Sequence, residues 1–172
     1  MKESTRNWPK PIRLPWLLLI SALAVIADRL TKIWVSGHVP FGGGIPVIDH
    51  FLRISHWTNE GAAFSLFANS ASPQTVRWGL VGFASLAALA VLIALIRFGD
   101  RINLTTVALA LILGGALGNV HDRVAYGSVV DFIEVHIFSY HYPDFNIADS
   151  CVVVGACLLF LDSLLPHRHN TV

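Results

Sequence analysis

From Trp78 to Ile96 the chain carries no charge, and Arg77 and Arg97 bracket the run. A stretch of that length is what an α-helix needs to cross a hydrocarbon core ~30 Å thick, for which ~20 residues suffice. Two more segments share the character. Leu104 to Gly118 is apolar and continues through Asn119 toward Arg123, and Ile147 to Leu165 is interrupted only by Asp149, Ser150, Asp162 and Ser163. Composition agrees: 54% of the 172 residues are hydrophobic and 13% are charged, against about 45–50% and about 25% in soluble domains. The net charge of +1 leaves no footprint for nucleic acid.

A fourth apolar stretch, Leu14 to Ala27, follows Lys2, Arg6, Lys10 and Arg13 and contains Ala22-Leu23-Ala24. A cleavable secretory signal is built the same way. Two features favour a retained span. The apolar run resumes after Asp28 through Ile33, Trp34 and Val35, and Asp28 and Lys32 stand at i, i+4, where they pair on one helical face. The expectation is an α-helical membrane protein of one domain, residues 1–172, with spans over about 14–35, 77–97, 103–123 and 147–166.

Lys and Arg set the orientation. With a cytoplasmic N-terminus the inner segments hold Lys2, Arg6, Lys10, Arg13, Arg97, Arg101 and Arg168, whereas the outer loops between spans hold only Arg53. Arg29, Lys32, Arg77 and Arg123 fall at outer ends of spans. Both termini are then cytoplasmic, and loops 36–76 and 124–146 face outward. In these loops His50 to Trp57 alternates polar and apolar residues as a half-buried strand does, and Gly127 to His136 is rich in β-branched residues. Open strands do not lie in lipid, so a small extracytoplasmic β-sheet is expected. Gly61 to Phe67 reads as a short interfacial helix; Gly42-Gly43-Gly44 and Ala71-Ser72-Pro73 read as turns. Cys151 and Cys157 lie on one helix with different facings and cannot bridge each other.

Ionisable residues at membrane depth are costly and point to function. Asp131 and Asp149 stand at edges of apolar segments, and paired carboxylates can share a proton and activate water. Helical rise brings further polar groups to their level. Asp28 lies ~20 Å from Pro15 along the first span, Asn119 ~21 Å from Thr105, and Asp149 ~24 Å from Leu165 on the returning span. Asp122, Arg123 and Asp131 follow within a turn or a short loop. Plainer roles stay open. Asp28 with Arg29 and Lys32 would serve as an interfacial anchor; Asn119, Asp122 and Arg123 would cap the third span, with Asp122–Arg123 as an ion pair. Asn59 would be a turn residue, and Asp149 would N-cap the fourth span. Gly114, Gly115 and Gly118 form a small-residue surface for close helix packing.

Five blocks carry a resemblance over nearly the whole chain: Asp28-x-x-Thr31-Lys32; Asn59-x-Gly61-Ala62-Ala63-Phe64-Ser65; Gly114-Gly115-Ala116-x-Gly118-Asn119-x-x-Asp122-Arg123; Gly127-x-Val129-Val130-Asp131-Phe132; and Phe145-Asn146-x-Ala148-Asp149-Ser150. In this order they resemble the type II, or lipoprotein, signal peptidases of bacteria. The resemblance implies an aspartyl endopeptidase of the cytoplasmic membrane, acting without cofactor or metal; a monomer in contact with membrane lipid is expected. Its partners would be prolipoproteins cleaved immediately before a diacylglyceryl-modified cysteine. Asp131 and Asp149 match the family's catalytic pair; Asn59, Asn119, Arg123 and Asn146 match positions that line or brace the site, and Asp28, with Lys32, and Asp122 match polar positions supporting it.

Three other chemistries compete. A metallopeptidase would draw on His121, His136 and His141 near Asp122 and Asp131, but no H-E-x-x-H pair exists and the histidines share no helical face. A proton-coupled transporter would use the aspartates as a relay, yet four spans lack the broken-helix repeat of such proteins. Ser150 and Cys151 have no histidine base nearby in sequence.

Overall fold

Apolar runs long enough to span a membrane become four helices, and the segments between them become one sheet. The computed structural model describes residues 13–61 and 72–165. The chain order is α1 (Leu14–His38), β1 (Gly44–Ile48), β2 (Leu52–Asn59), α2 (Pro73–Phe98), α3 (Leu104–Tyr126), β3 (Val129–Ile137), β4 (Tyr140–Phe145) and α4 (Ile147–Leu164). All four helices are long and apolar enough to cross a membrane. The surface helix expected over 61–67 lies, past Gly61, outside the described residues.

Local chemistry sets the helix ends. Ser72 N-caps α2, its Oγ accepting from the Thr75 amide, so the expected turn at 71–73 is in part a helix start and α2 opens at Pro73. Asn103 and Thr106 form a capping box on α3, and Asn146 and Asp149 form another on α4. In such a box the N-cap and N3 side chains satisfy each other's backbone N–H groups. Gly127, at φ +87°, ends α3 in the left-handed conformation that glycine adopts without Cβ strain.

α3 is the central helix and packs against α1, α2 and α4. Leu17 of α1, Ala88 and Leu95 of α2, and Leu109, Ala110 and Leu113 of α3 build one apolar core; Val35, Val39 and Phe132 build a second where α1 meets the sheet. Phe83, Leu86 and Phe160 stand outward, 75%, 69% and 67% exposed, which suits a lipid solvent rather than water.

The sheet is antiparallel with strand order β1-β2-β3-β4. β2 and β3 are the strands expected from the loops, whereas the edge strands β1 and β4 were not expected. Gly44, read as part of a turn, is the first residue of β1 and pairs with Ser55. Pro46 lies in β1 and Pro143 in β4, and proline fits only edge positions because it cannot donate to the ladder. An extra residue bulges β2 between Ile54 and Trp57, and another bulges β4 between Tyr142 and Phe145; β3 runs between them without a break.

Glycines set how closely the helices approach. A Cβ on Gly115 would stand 2.3 Å from the Ala148 carbonyl oxygen, and one on Gly114 would stand 2.7 Å from Ser21 O and Ala24 Cβ. Gly79 and Gly82 have open space around them. Gly115→Ala is therefore expected to cost about 1–3 kcal/mol by overpacking, while Gly79→Ala leaves stability unchanged or slightly raised. Thermal unfolding of the detergent-solubilised protein measures both, and equal melting temperatures would remove the close-packing argument.

Candidate active site

Asp131 on β3 and Asp149 in the first turn of α4 meet at a single asparagine. Asn146 Nδ2 donates to Asp131 Oδ1 at 2.8 Å, its Oδ1 accepts from the Asp149 amide at 3.0 Å, and its own amide donates to Asp149 Oδ2 at 3.2 Å. Two further asparagines complete the shell. Asn59 Nδ2 donates to Asp131 Oδ2 at 3.0 Å, and Asn119 Nδ2 donates to Asp149 Oδ1 at 2.7 Å. Each amide is oriented from its far side: Asn59 Oδ1 accepts from the Gly61 amide and Asn119 Oδ1 from Lys32 Nζ. The remaining amide nitrogens can only face the carboxylates.

Asp131 is 5% exposed. Burial pushes its carboxyl up to about 6, and the neighbouring Asp149 charge adds to this, while the Asn59 and Asn146 hydrogen bonds pull the other way. A carboxyl so placed changes charge close to neutral pH, as a group that both gives and takes protons must.

Beneath the pair lies a buried ionic layer. Lys32 Nζ sits 2.7 Å from Asp28 Oδ2, 2.7 Å from Asp122 Oδ2 and 3.2 Å from Asn119 Oδ1. Asp28 also accepts from the Ala148 amide at 3.0 Å, joining α1 to α4. Asp28 is fully buried, so it is not an interfacial anchor. Asp122 takes Arg29 at 2.8 Å as a second cation, with His121 Nδ1 at 3.3 Å; the expected alternative of an Asp122–Arg123 ion pair is not what occupies this carboxylate. Arg29, a residue the sequence left as a membrane anchor, also donates to Tyr126 Oη at 3.0 Å.

Arg123 stands beside the aspartates, within the fields of Asp149, Asp131 and Asp122. Its Nη1 reaches Asn119 O at 3.5 Å, and its buried Nε finds no acceptor among the described residues. α3 continues past it to Tyr126, so Asn119, Asp122 and Arg123 do not cap that helix. Nor is Asp149 the N-cap of α4: Asn146 is, with Asp149 at N3. Arg77, counted only as a terminal cation, donates to the Arg123 and Val124 carbonyls at 2.7 and 2.9 Å and braces the last turn of α3. Of the histidines, His121 touches Asp122, whereas His136 and His141 gather around Glu134 and Asp144, away from the pair.

Next to Asp149 opens an apolar groove of about 390 Å³, walled by Val135 and Ile137 of β3, Tyr142 and Phe145 of β4, and Val153 and Val154 of α4. The arrangement joins two carboxyls linked through one asparagine, an arginine whose Nε–H meets no acceptor among the described residues, and an apolar trough.

Comparison with known proteins agrees with this layout. The family described as Signal peptidase (SPase) II matches residues 20–165. The chain belongs to the signal peptidase II family. The lipoprotein signal peptidase of Paraburkholderia phytofirmans is 45% identical over 150 residues, 87% of this chain and 84% of that protein. The Yersinia enterocolitica lipoprotein signal peptidase is 37% identical over 158 residues, 92% of this chain and 91% of its own. A solved structure described as a bacterial membrane enzyme, obtained by the in meso method, aligns with a TM-score of 0.73 at 34% identity, covering 94% of this chain and 100% of that one. The chain is thus a bacterial membrane peptidase with four helices long and apolar enough to span the bilayer and a four-stranded antiparallel sheet.

Removing one partner from a buried ion cluster strands the others. Lys32→Met is expected to destabilise the protein by about 3–5 kcal/mol. Arg29→Met, whose side chain is 24% exposed, is expected to cost about 1 kcal/mol or less. Melting temperatures in detergent rank the two, and the reverse order would refute the buried layer as the stabilising element.

Proposed function

We propose that Asp131 and Asp149 are the catalytic pair of an aspartyl endopeptidase that removes signal peptides from prolipoproteins, cleaving immediately before a diacylglyceryl-modified cysteine. The observation that carries this reading is the shared asparagine: Asn146 donates to both carboxylates, its Nδ2 to Asp131 and its backbone amide to Asp149, which supports their acting on one substrate bond. One proton resides on the pair. The ionised carboxylate takes a proton from water as its oxygen attacks the scissile carbonyl, and the neutral carboxyl donates to the developing oxyanion. Collapse of the tetrahedral intermediate breaks the C–N bond as the leaving nitrogen is protonated, and the pair regains its starting state without a covalent intermediate.

Arg123, whose Nε–H meets no acceptor among the described residues, is suited to donate to a substrate carbonyl; Asn59, Asn119 and Asn146 hold the carboxylates, and Lys32, itself held by Asp28 and Asp122, holds Asn119. The groove walled by Val135, Tyr142, Phe145 and Val153 suits an acyl chain or the apolar stem of a signal peptide. Acyl chains would stay in lipid while the peptide bond meets water beside the sheet. In this reading the enzyme is a monomer of the bacterial inner membrane, both termini are cytoplasmic and the sheet faces outward, in keeping with the Lys and Arg distribution.

Purified protein incubated with a diacylglyceryl-modified precursor and with its unlipidated twin is expected to cleave only the first. Asp131→Asn and Asp149→Asn should each lower cleavage at least about 10²–10⁴-fold while the protein remains folded and membrane-inserted. Near-normal turnover by either variant would refute the pair.

The raised Asp131 value gives a pH dependence with a definite sign. Above about pH 6 its carboxyl ionises and the proton donor is lost, so kcat/KM declines with rising pH. A kcat/KM profile flat across pH 5–8, roughly the range that brackets this ionisation, would be incompatible with the proton-sharing scheme.

A further inference from the structure

A second constellation of donors lies on the sheet, apart from the aspartate pair. His136 of β3 and His141 of β4 are cross-strand partners, and their rings lie 4.9 Å apart. Glu134 stands two residues before His136 and therefore on the same face of β3. Its Oε1 is 2.6 Å from His136 Nε2. His141 Nε2 is 3.0 Å from Asp144 Oδ1, whose other oxygen is held by Ser55 Oγ at 2.6 Å. One ligand atom each from Glu134, His136 and His141 falls within a mutual 4.8 Å.

We propose that Glu134, His136 and His141 form a site for a divalent transition metal ion of the zinc type, with Asp144 as orienting partner or fourth ligand. Two imidazoles and a carboxylate are the donor set such ions take, at about 2.0–2.2 Å. Tetrahedral binding would bring the donor atoms to roughly 3.3 Å from one another, so the cluster must contract. The side chains that have to move are the accessible ones: His141 is 52% and His136 34% exposed, whereas Glu134 is 8% exposed and already in place.

Arg53 is the built-in competitor. It is the β2 partner of Glu134, and its Nη1 lies 2.9 Å from the same Oε1 that would face the ion. A bound dication repels it, and its 43% exposed side chain has water to retreat into. Asp131 lies on the opposite face of β3 by strand alternation, so the ion takes no part in peptide-bond chemistry. Its effect would be mechanical: it would cross-link β3 to β4, and β4 carries Tyr142 and Phe145 of the groove and leads directly into Asn146.

The test is equilibrium dialysis of ZnCl₂ against the full chain, freed of any affinity tag and held in detergent, with thermal unfolding as a second readout. The wild type is expected to bind one Zn²⁺ per chain and to melt higher with zinc than with EDTA. His136→Ala/His141→Ala should lose both effects while melting like the wild type in EDTA. Asp144→Asn should weaken binding about 10–100-fold, the usual cost of losing an orienting partner, and Arg53→Gln should tighten it. Should the double variant fail to fold, these last two decide: unchanged affinity in both overturns the proposal. Zinc retained by a folded double variant would place the ion elsewhere and overturns it too.

Discussion

The architecture depends on one buried ammonium. Lys32 Nζ is held by carboxylates from two helices and an amide from one of them, at a depth where it is 1% exposed. An unpaired ammonium there would cost several kcal/mol, so α1 and α3 can adopt only the rotation that brings Asp28, Asn119 and Asp122 around it. Asp28 passes the constraint to α4 through the Ala148 amide. Gly115 and Gly118 permit it, since α4 and the Asp28 carboxylate lie where their side chains would be. Three helices are thereby fixed in register by polar contacts, in a setting where hydrophobic contrast between protein and lipid supplies little drive for association.

The same layer separates the charges that join the helices from those of the proposed catalytic pair. Lys32 and Arg29 balance Asp28 and Asp122, two cations against two carboxylates. Arg123 stands beside Asp131 and Asp149. One cation facing two carboxylates is neutral only if the pair keeps a proton. The raised Asp131 ionisation has the same sense. The asparagines hold this state in place. An aspartate or lysine at 59, 119 or 146 would impose a charge, whereas an amide supplies a directed donor without disturbing the balance.

Much of this was legible in the chain, for reasons that differ by element. Four helices were readable because the apolar runs match a bilayer, and the polar layer because helical rise turns residue number into depth. β2 and β3 showed their alternation. β1 and β4 hid because Pro46 and Pro143 argue against strands, and only their edge positions reconcile the two. Asp149 was legible as a residue at the start of α4, but Asn146, three residues earlier, is the cap; the N-cap/N3 spacing was there to be read. The partners of Asp122 were not legible. Arg29 and Arg123 both lie within reach of it in a coarse reading, and only the rotation of α1 against α3 selects Arg29. His136 and His141 drew notice as donors, yet their meeting with Glu134 depends on a hairpin register that no local pattern disclosed.

β3 shows how one strand serves two environments. Its neighbours absorb the irregularities, β2 with one extra residue and β4 with another, so β3 itself alternates without interruption from Asp131 to Ile137. One face then carries Asp131 and, farther along, Val135 and Ile137 of the apolar groove. The other carries Phe132, packed on Val35 and Val39, followed by Glu134 and His136. A bulge placed in β3 would have turned Val135 away from the groove or His136 away from His141. Placing the bulges in the flanking strands keeps the aspartate, the groove wall and the histidine pair each on its proper side. The regularity of this central strand is therefore what allows the sheet to differ chemically from one surface to the other.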